Sequence, residues 1–342
     1  MGTTPDKILF VHNGATSFVR TDLALLRERY QVTELFFRER RIDPIRLLRL
    51  VSSHDLLFGW FASWHTFLPL LFARLLHKPA LLVVGGYDLA NMPEIGYGHQ
   101  RGGIKKYVSR WTMQLATTLI TNADYSREEA YRNAGIPKER VNVIYHGVAD
   151  CFGTGSAWTR SPAALTVGNV EASNLWRKGH EPFVRAAAAL PEVEFTLAGA
   201  WRDGAIAHLR KIAPPNVTFT GWLDDAALLD CYRRSAVYVQ ASAHEGFGLS
   251  LAEAMLAGCV PVVTRSGALP EVVGEAGIYL ASNEPQAIAE GIQTALQAGE
   301  QLGRQARERV LQTFPLQKRK EALHRLVDQA LSLPSAVPSA QA

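Results

Sequence analysis

The stretch AVYVQASAHEGFGLSLAEAMLAGCVPVV, residues 236–263, contains two apolar runs separated by a glycine-rich loop and an amphipathic segment. Short apolar runs that end in small or polar residues are typical of buried strands, and the segment between them has helical length. Strand, loop, helix, turn and strand in this order form one unit of a parallel α/β sheet. The loop at residues 241–248 is therefore expected at the carboxyl edge of that sheet, where open α/β sheets bind ligands.

Similar apolar runs recur along the whole chain. They are KILFVHN, YQVTELFF, HDLLFGWF, PALLVVGG, TTLITNA and VNVIYHG in the first half, and ALTVGNV, EFTLAGA, VTFTGW, AVYVQASA, CVPVVT and GIYL in the second. A stretch rich in Gly, Ser, Thr and Pro interrupts them at residues 150–164, as domain linkers do. We predict an α/β protein with two Rossmann-like domains whose parallel sheets face a central cleft, residues 1–155 and 156–315, and a disordered tail at residues 334–342.

The composition excludes several classes of protein. Hydrophobic residues make up 47% of the 342 residues and charged residues 20%, a balance typical of globular proteins. The net charge of +4 is too small to indicate nucleic-acid binding, although residues 1–155 carry 19 Lys and Arg against 14 Asp and Glu. We predict a cytoplasmic protein from three features. The three cysteines are scattered, the N-terminus does not resemble a leader, and the longest apolar region is interrupted by charges.

The segment EGFGLSLAE places two carboxylates, Glu245 and Glu253, eight residues apart around a predicted helix start. One interpretation is local, because Ser250 and Glu253 have the spacing of a capping box. The other is chemical, because a glycine-rich loop before a helix can hold a phosphate while flanking carboxylates accept hydrogen bonds from sugar hydroxyls. The second interpretation predicts a nucleoside diphosphate sugar as the ligand.

The same segment matches the E-x7-E motif, and with its glycines and the downstream SGALPEVVGEAGIYL it resembles the retaining glycosyltransferases of family 4 (glycosyl transferases group 1). The motifs TVGN, RKGHEPFVRAA, VTFTGWLDD and VIYHGV stand in that family's order. The resemblance implies the GT-B fold, with residues 316–333 as a helix that crosses back to the N-terminal domain. It also implies that Glu253 binds ribose hydroxyls and that Glu245 contacts the donor sugar. The backbone that would hold the sugar and the diphosphate comprises Gly246, Phe247, Gly248 and Leu249.

The segment NLWRKGHE carries the second part of the predicted donor site. Lys178 matches the family's lysine on the diphosphate, where a fixed cation stabilises the leaving phosphate. Many relatives have an arginine at the position of Asn169, and Asn169 is a donor-binding candidate here. Arg177 is the candidate to replace the missing charge, or else a solvated helix-start residue. Phe247 and Trp222 are candidates for stacking on the base of the nucleotide.

The N-terminal half supplies the remaining candidates. Gly14 follows the first predicted strand and is assigned either to donor binding or to a tight turn. GGYD resembles the family's HG-x-D element, with Gly85 in place of the histidine, so that Tyr87 and Asp88 are the acceptor-side candidates.

The predicted reaction, as the resemblance implies it, is retaining transfer of a sugar to an acceptor hydroxyl by front-face attack, with no metal and no cofactor. No D-x-D triplet, G-x-G-x-x-G fingerprint or P-loop is present. The acceptor is a sugar, a lipid-linked molecule or a small molecule. The alternatives are a sugar-nucleotide sensing module without turnover and a sugar-nucleotide epimerase on the same fold.

The segment RGGIKKYVSRW bears on contact with membranes. Its basic residues, Arg101, Lys105, Lys106 and Arg110, could place a helix against anionic lipids on the inner face of the membrane, or could form an ordinary solvated face.

Overall fold

Two parallel sheets organise the chain, one in each of two units. The computed structural model describes residues 5–37, 43–153 and 160–332. The first unit extends to Gly147 and resumes at Leu316, and the second spans Val148–Pro315. The boundary lies a few residues before the expected linker, and the predicted tail at residues 334–342 lies outside the described residues.

The first unit contains a six-stranded sheet in the order β2-β1-β3-β4-β5-β6. Its strands are β1 (Lys7–His12), β2 (Gln31–Phe36), β3 (Leu56–Trp60), β4 (Ala80–Val83), β5 (Thr118–Thr121) and β6 (Val141–Val143). Its helices are α1 (Ser17–Arg27), α2 (Pro44–Ser52), α3 (Trp64–Leu75), α4 (Gly103–Leu115) and α5 (Asp124–Ala134). Short 3-10 helices lie at Gly86–Asp88, Pro93–Ile95, His99–Arg101 and Lys138–Arg140.

The second unit contains a six-stranded sheet in the order β12-β11-β10-β7-β8-β9. Its strands are β7 (Ser161–Val167), β8 (Glu194–Ala198), β9 (Val217–Gly221), β10 (Ser235–Gln240), β11 (Val260–Val263) and β12 (Ile278–Tyr279). Its helices are α6 (Ala172–Arg177), α7 (His180–Ala186), α8 (Ala205–Ile212), α9 (Asp225–Arg234), α10 (Leu249–Leu256), α11 (Leu269–Val273) and α12 (Pro285–Thr313), which is kinked at Gly299. All strand pairs in both sheets are parallel, as the continuous apolar runs predict.

After the second unit the chain returns to the first as α13 (Leu316–Ser332). Alternate residues of β1 face opposite sides of the first sheet. Leu9 and Val11 belong to a core cluster with residues of α2, α3 and α4, whereas Ile8 and Phe10 belong to a cluster with residues of α1 and α13. The last helix therefore completes the core on one face of the first sheet.

None of the helices within the described ranges is long and apolar enough to cross a lipid bilayer.

Candidate active site

The topology of the second sheet singles out the carboxyl ends of β7 and β10. The chain runs outward from β7 through β8 to β9, and then starts again at β10 on the other side of β7. Ligands of open α/β sheets bind where the strand order reverses in this way. The loops after these two strands carry Asn169 and residues 241–248, so the predicted donor residues are at the expected place.

A direct ion pair joins two of the predicted catalytic residues. Lys178 Nζ donates to Glu245 Oε2 at 2.6 Å, and the two side chains are only 19% and 14% exposed. An ammonium group has three N–H donors, so that this bond leaves Lys178 with two for a further acceptor. The structure thus brings together two residues that lie 67 positions apart in the sequence.

Two glycines with left-handed backbones create this contact. Gly179 has φ +72°, and a Cβ there would lie 2.4 Å from the Ala241 carbonyl oxygen. Gly267 has φ +62°, and a Cβ there would lie 2.2 Å from the Glu245 carbonyl oxygen, which accepts a hydrogen bond from the Ala268 amide. Only glycine allows these close approaches. The glycines of the K-G and S-G-A-L-P-E motifs therefore help to position Lys178 and Glu245 beside each other.

The electrostatics of the pair keep Glu245 ionised. Burial by itself would raise the pKa of Glu245, but the charge of Lys178 and its hydrogen bond, with the charge of Arg177, lower that pKa below its usual value. Arg177 also donates to Asn174 Oδ1 at 2.5 Å. The neighbouring His180 is fully buried, and burial lowers its pKa to about 3, so it is neutral and adds no charge to the site.

Gln240 is a site residue that the sequence interpretation missed. Its Nε2 donates to Glu245 Oε2 at 2.7 Å, the same oxygen that Lys178 contacts, and its Oε1 accepts from the Tyr238 hydroxyl at 3.3 Å. Gln240 is 3% exposed at the end of β10. Both contacts hold the same oxygen, Glu245 Oε2. The one feature of the sequence that could have indicated this role is the position of the Gln240 amide at the end of the apolar run AVYVQ.

We expect Gln240→Leu to lower the free energy of unfolding by about 1.5–3 kcal/mol, the usual contribution of a hydrogen bond to a charged group. Leucine fills similar space but leaves the buried Glu245 carboxylate without its amide donor. Urea unfolding at neutral pH measures the change. Gln286→Leu is the matched control, since its amide bonds Glu290 at 2.9 Å on the exposed surface of α12, and it should change stability by less than about 0.5 kcal/mol. Equal effects of the two substitutions would contradict a special role for Gln240.

The capping-box interpretation of Glu253 is wrong. The helix α10 begins at Leu249 with Gly248 as its N-cap and has no side-chain cap, so Ser250 and Glu253 lie inside it. Instead Glu253 Oε2 accepts from the Tyr232 hydroxyl at 3.0 Å. Burial raises the pKa of Glu253 to about 6, and the hydrogen bond from Tyr232 limits the rise. Such a buried carboxylate is suited to accept hydrogen bonds from hydroxyl groups.

The backbone of Gly246, Phe247, Gly248 and Leu249 leads into the start of α10, where no side chain occupies the first amide groups. Uncapped amides at a helix N-terminus attract phosphate oxygens. The Phe247 side chain does not fit the stacking prediction, because it is 3% exposed and packs edge-on against Phe314 at 5.3 Å. Only the backbone of Phe247 remains a candidate donor contact.

The other donor candidates lie at further strand ends of the second sheet. Trp222 follows β9 and is 73% exposed, which leaves its ring open for stacking. Asn169 follows β7, and its carbonyl accepts from the Asn174 amide at 2.8 Å. Asn169 itself supplies no positive charge.

The first unit contains the candidates Gly14 and Tyr87, which differ in their surroundings. Gly14 follows β1 without a positive φ, so a tight glycine turn is not required there, and the space beside its Cα is open. Tyr87 is 37% exposed, with its ring edge-on to Tyr97 and His99.

Asp88 is a correction to the predicted acceptor side. It is 1% exposed, and its two oxygens accept from the Ala62 and Gly85 amides, both at 2.9 Å. Burial raises its pKa to about 7 in spite of these bonds. The carboxylate therefore ties two loops together and is not available to an acceptor. The glycine-rich residues around Asp88 did not allow its burial to be predicted.

Comparison with known proteins shows what the chain is similar to. Residues 161–298 match the family described as Glycosyl transferases group 1. The chain is 28% identical over 208 residues to the O-antigen chain mannosyltransferase B of Escherichia coli, covering 54% of this chain and 53% of the relative. It is 27% identical over 269 residues to a glycogen synthase of Mycobacterium tuberculosis, covering 71% and 64%. The chain thus spans less than two thirds of the length of these curated relatives.

Solved structures agree on the fold. The Anabaena protein Alr3699/HepE, solved in complex with UDP and glucose, has a TM-score of 0.77 at 17% identity and covers 96% of this chain and 100% of its own. The sucrose-phosphate synthase of Thermosynechococcus elongatus has a TM-score of 0.74 at 19% identity, covering 95% and 98%. Residues 161–298 are thus similar to the glycosyl transferases group 1, and the chain has the GT-B fold with two Rossmann-like domains, as predicted from the sequence.

Proposed function

We propose that this protein is a retaining glycosyltransferase that moves a sugar from a nucleoside diphosphate sugar to an acceptor hydroxyl. The observation that carries the proposal is the Lys178–Glu245 pair beside the uncapped start of α10, with Glu253 eight residues further on. This arrangement offers a cation and backbone amides for a diphosphate and carboxylates on either side for hydroxyls. The relatives' names, all transferases or synthases in the comparisons above, support transfer over the epimerase and sensing alternatives.

The chemistry asked of these residues is electrostatic. As the bond between sugar and diphosphate breaks, negative charge grows on the leaving phosphate, and Lys178, Arg177 and the N-terminus of α10 stabilise it. The acceptor hydroxyl attacks from the same face, and its proton passes to the departing phosphate oxygen. Glu245 and Glu253 hold the hydroxyls of the donor sugar and the ribose. No further acid or base is required by this route.

The positive field of these residues is the reason to propose that no metal is needed. Among residues 5–37, 43–153 and 160–332, no three His, Cys, Asp or Glu side chains are grouped as metal ligands. Alr3699/HepE was solved with UDP and with UDP-glucose, and a curated relative is named as dependent on GDP-mannose, so proteins similar to this chain are associated with more than one base. The proposal includes a cytoplasmic location and leaves the acceptor as a sugar, a lipid-linked molecule or a small molecule.

A thermal-shift panel with UDP, GDP, ADP and their sugar conjugates in EDTA tests the donor assignment. One nucleotide should stabilise the wild type by roughly 2.7 kcal/mol at 100 times its dissociation constant. Glu253→Gln should lose most of that shift, because a neutral amide replaces one acceptor oxygen by a donor nitrogen and forms weaker bonds with ribose hydroxyls than a carboxylate does. Product analysis with the stabilising sugar nucleotide then shows whether the anomeric configuration is retained.

The same variant carries a pH signature. A carboxyl whose pKa is raised by folding contributes stability below its unfolded pKa and loses it as the pH rises through the folded value. For Glu253 the window runs from its ordinary value near 4.5 to about 6. At pH 7.5 the unliganded Glu253→Gln protein should therefore be more stable than the wild type by about 2 kcal/mol, with no gain at pH 4.5. A variant that keeps the nucleotide shift would overturn the role of Glu253.

A further inference from the structure

Three of the helices on one face of the first sheet contain no acidic residue. The helices α2, α3 and α4 contain six Lys or Arg and no Asp or Glu. They form one layer, since α3 contacts both α2 and α4. Near this layer, Asp43 caps the start of α2, Asp88 is buried and Glu94 lies in the connection before α4. The acidic residues of α5 (Asp124, Glu128 and Glu129) lie beyond α4 on the same face. The layer is therefore strongly cationic.

The same layer exposes large apolar side chains. Seven of the fourteen such side chains among the described residues lie in these three helices: Ile45, Leu48, Trp64, Leu75, Ile104, Tyr107 and Trp111. On α4, Ile104, Tyr107 and Trp111 are 67%, 56% and 54% exposed, and their spacing of three and four residues places them on one side of the helix. We call these three residues the α4 ridge. Its buried side is formed by Val108, Ser109, Thr112 and Met113.

Apolar and aromatic residues beside Lys and Arg are the composition of surfaces that rest in the interface of an anionic bilayer. Arg110 is not part of this surface, because its guanidinium donates to Gln100 Oε1 and to the Asn133 carbonyl. Lys105 and Lys106 remain beside the ridge, and Arg46, Arg49 and Arg74 are exposed on α2 and α3. A solvated helix face would not need three large apolar side chains in one row.

The position of the ridge relates it to the acceptor side of the same unit. In a parallel α/β sheet, helices start at the edge where strands end. Ile45, Trp64 and Ile104 all lie in the first turn of their helices. They therefore lie toward the edge that carries Gly14 and Tyr87. An acceptor anchored in the membrane would present its hydroxyl near this edge.

We infer that the layer of α2, α3 and α4 docks on an anionic membrane surface through the α4 ridge and its lysines, and that the acceptor is lipid-linked. The docking stands on the surface alone, and the acceptor class rests on the proposed function. The aromatic rings enter the interface between headgroups and acyl chains, and the lysines face the lipid phosphates.

Flotation of the full chain with vesicles of phosphatidylcholine, with or without phosphatidylglycerol, tests the docking. The wild type should float with the anionic vesicles. Ile104→Ser/Tyr107→Ser/Trp111→Ser and, separately, Lys105→Gln/Lys106→Gln should each lower the partition coefficient by about tenfold or more. The matched control is Tyr131→Ser/Trp201→Ser/Leu311→Ser, which removes one tyrosine, one tryptophan and one aliphatic residue that are 53%, 42% and 40% exposed elsewhere.

The outcomes separate this inference from the proposed function. Vesicle binding is measured without a donor, and each variant should keep the wild-type nucleotide shift and thermal midpoint. Equal vesicle binding by the ridge variant and its control would overturn the docking surface. Equal binding of the wild type to neutral and anionic vesicles would overturn the role of the lysines. A wild type that ignores vesicles but is dimeric in light scattering, with a monomeric ridge variant, would assign the ridge to a second copy and overturn the inference.

Discussion

Lys178→Ala should lower kcat by about 10²–10³, because it removes the preorganised cation from the leaving phosphate. The substitution also removes the main charge that holds the pKa of Glu245 down. The pKa of Glu245 should then rise, so that the activity which remains should disappear at a higher pH than in the wild type as the solution is acidified. Steady-state rates with the donor found in the nucleotide panel, measured across the pH range, give both effects.

Lys211→Ala is the control for this prediction, because it removes an exposed lysine from α8 of the same unit. It should leave the rate and the pH profile unchanged. Lys178→Arg keeps the charge and should recover part of kcat, although its planar group does not reproduce the position of an ammonium. A Lys178→Ala protein that folds normally and works within threefold of the wild type would refute the role of this lysine, whatever the donor.

Arg319→Met should lower the free energy of unfolding of the first unit by about 3–5 kcal/mol, the usual cost of leaving one partner of a buried ion pair alone. Arg319 Nε lies 2.6 Å from Asp22 Oδ1, and the two side chains are 1% and 0% exposed. Arg319 also donates to the carbonyls of Ile144 and Tyr145 at 2.8 and 2.9 Å. The substitution leaves a buried carboxylate and two backbone carbonyls without their donor, and weakens the packing of α13 on the core.

Denaturant unfolding, followed by a probe in the first unit, measures this loss. Asp22→Leu/Arg319→Met should be more stable than Arg319→Met, because it removes the orphaned charge as well. Lys320→Met is the surface comparison: its bond to Glu28 joins side chains that are 30% and 49% exposed, and its loss should cost less than about 1 kcal/mol. If Arg319→Met cost no more than Lys320→Met, the pair would not be what holds α13 in place.

The parts of the site that were predictable are those with a local signature. Apolar runs that end in Gly, Asn or His predicted most of the strands, and the glycines around Glu245 predicted the loop before α10. The start of α9 is local in the same sense, since the Asp224 side chain caps it by accepting from the Ala227 amide at 2.8 Å. Each of these features depends on neighbours within a few residues, so the order of residues already contains the cause.

Other features depend on where distant segments meet, and there the expectations were wrong or missing. Asp88 and Phe247 looked like ligand contacts because they stand in glycine-rich loops, yet both are buried by packing. Gln240 and Tyr232 looked like ordinary strand and helix residues, yet each bonds one of the two glutamates. Whether a polar atom meets solvent or a partner is decided by packing.

The sequence by itself determined the class of fold and the residues around which a donor site is proposed, because apolar periodicity and glycine positions act locally. Only the tertiary structure decided that Lys178 meets Glu245, that Gln240 and Tyr232 orient the two carboxylates, and that Arg319 anchors the last helix on Asp22. These contacts join residues up to 297 positions apart. Their energies come from burial, which raises the cost of any charge without a partner, and burial exists only once the sheets and helices have packed.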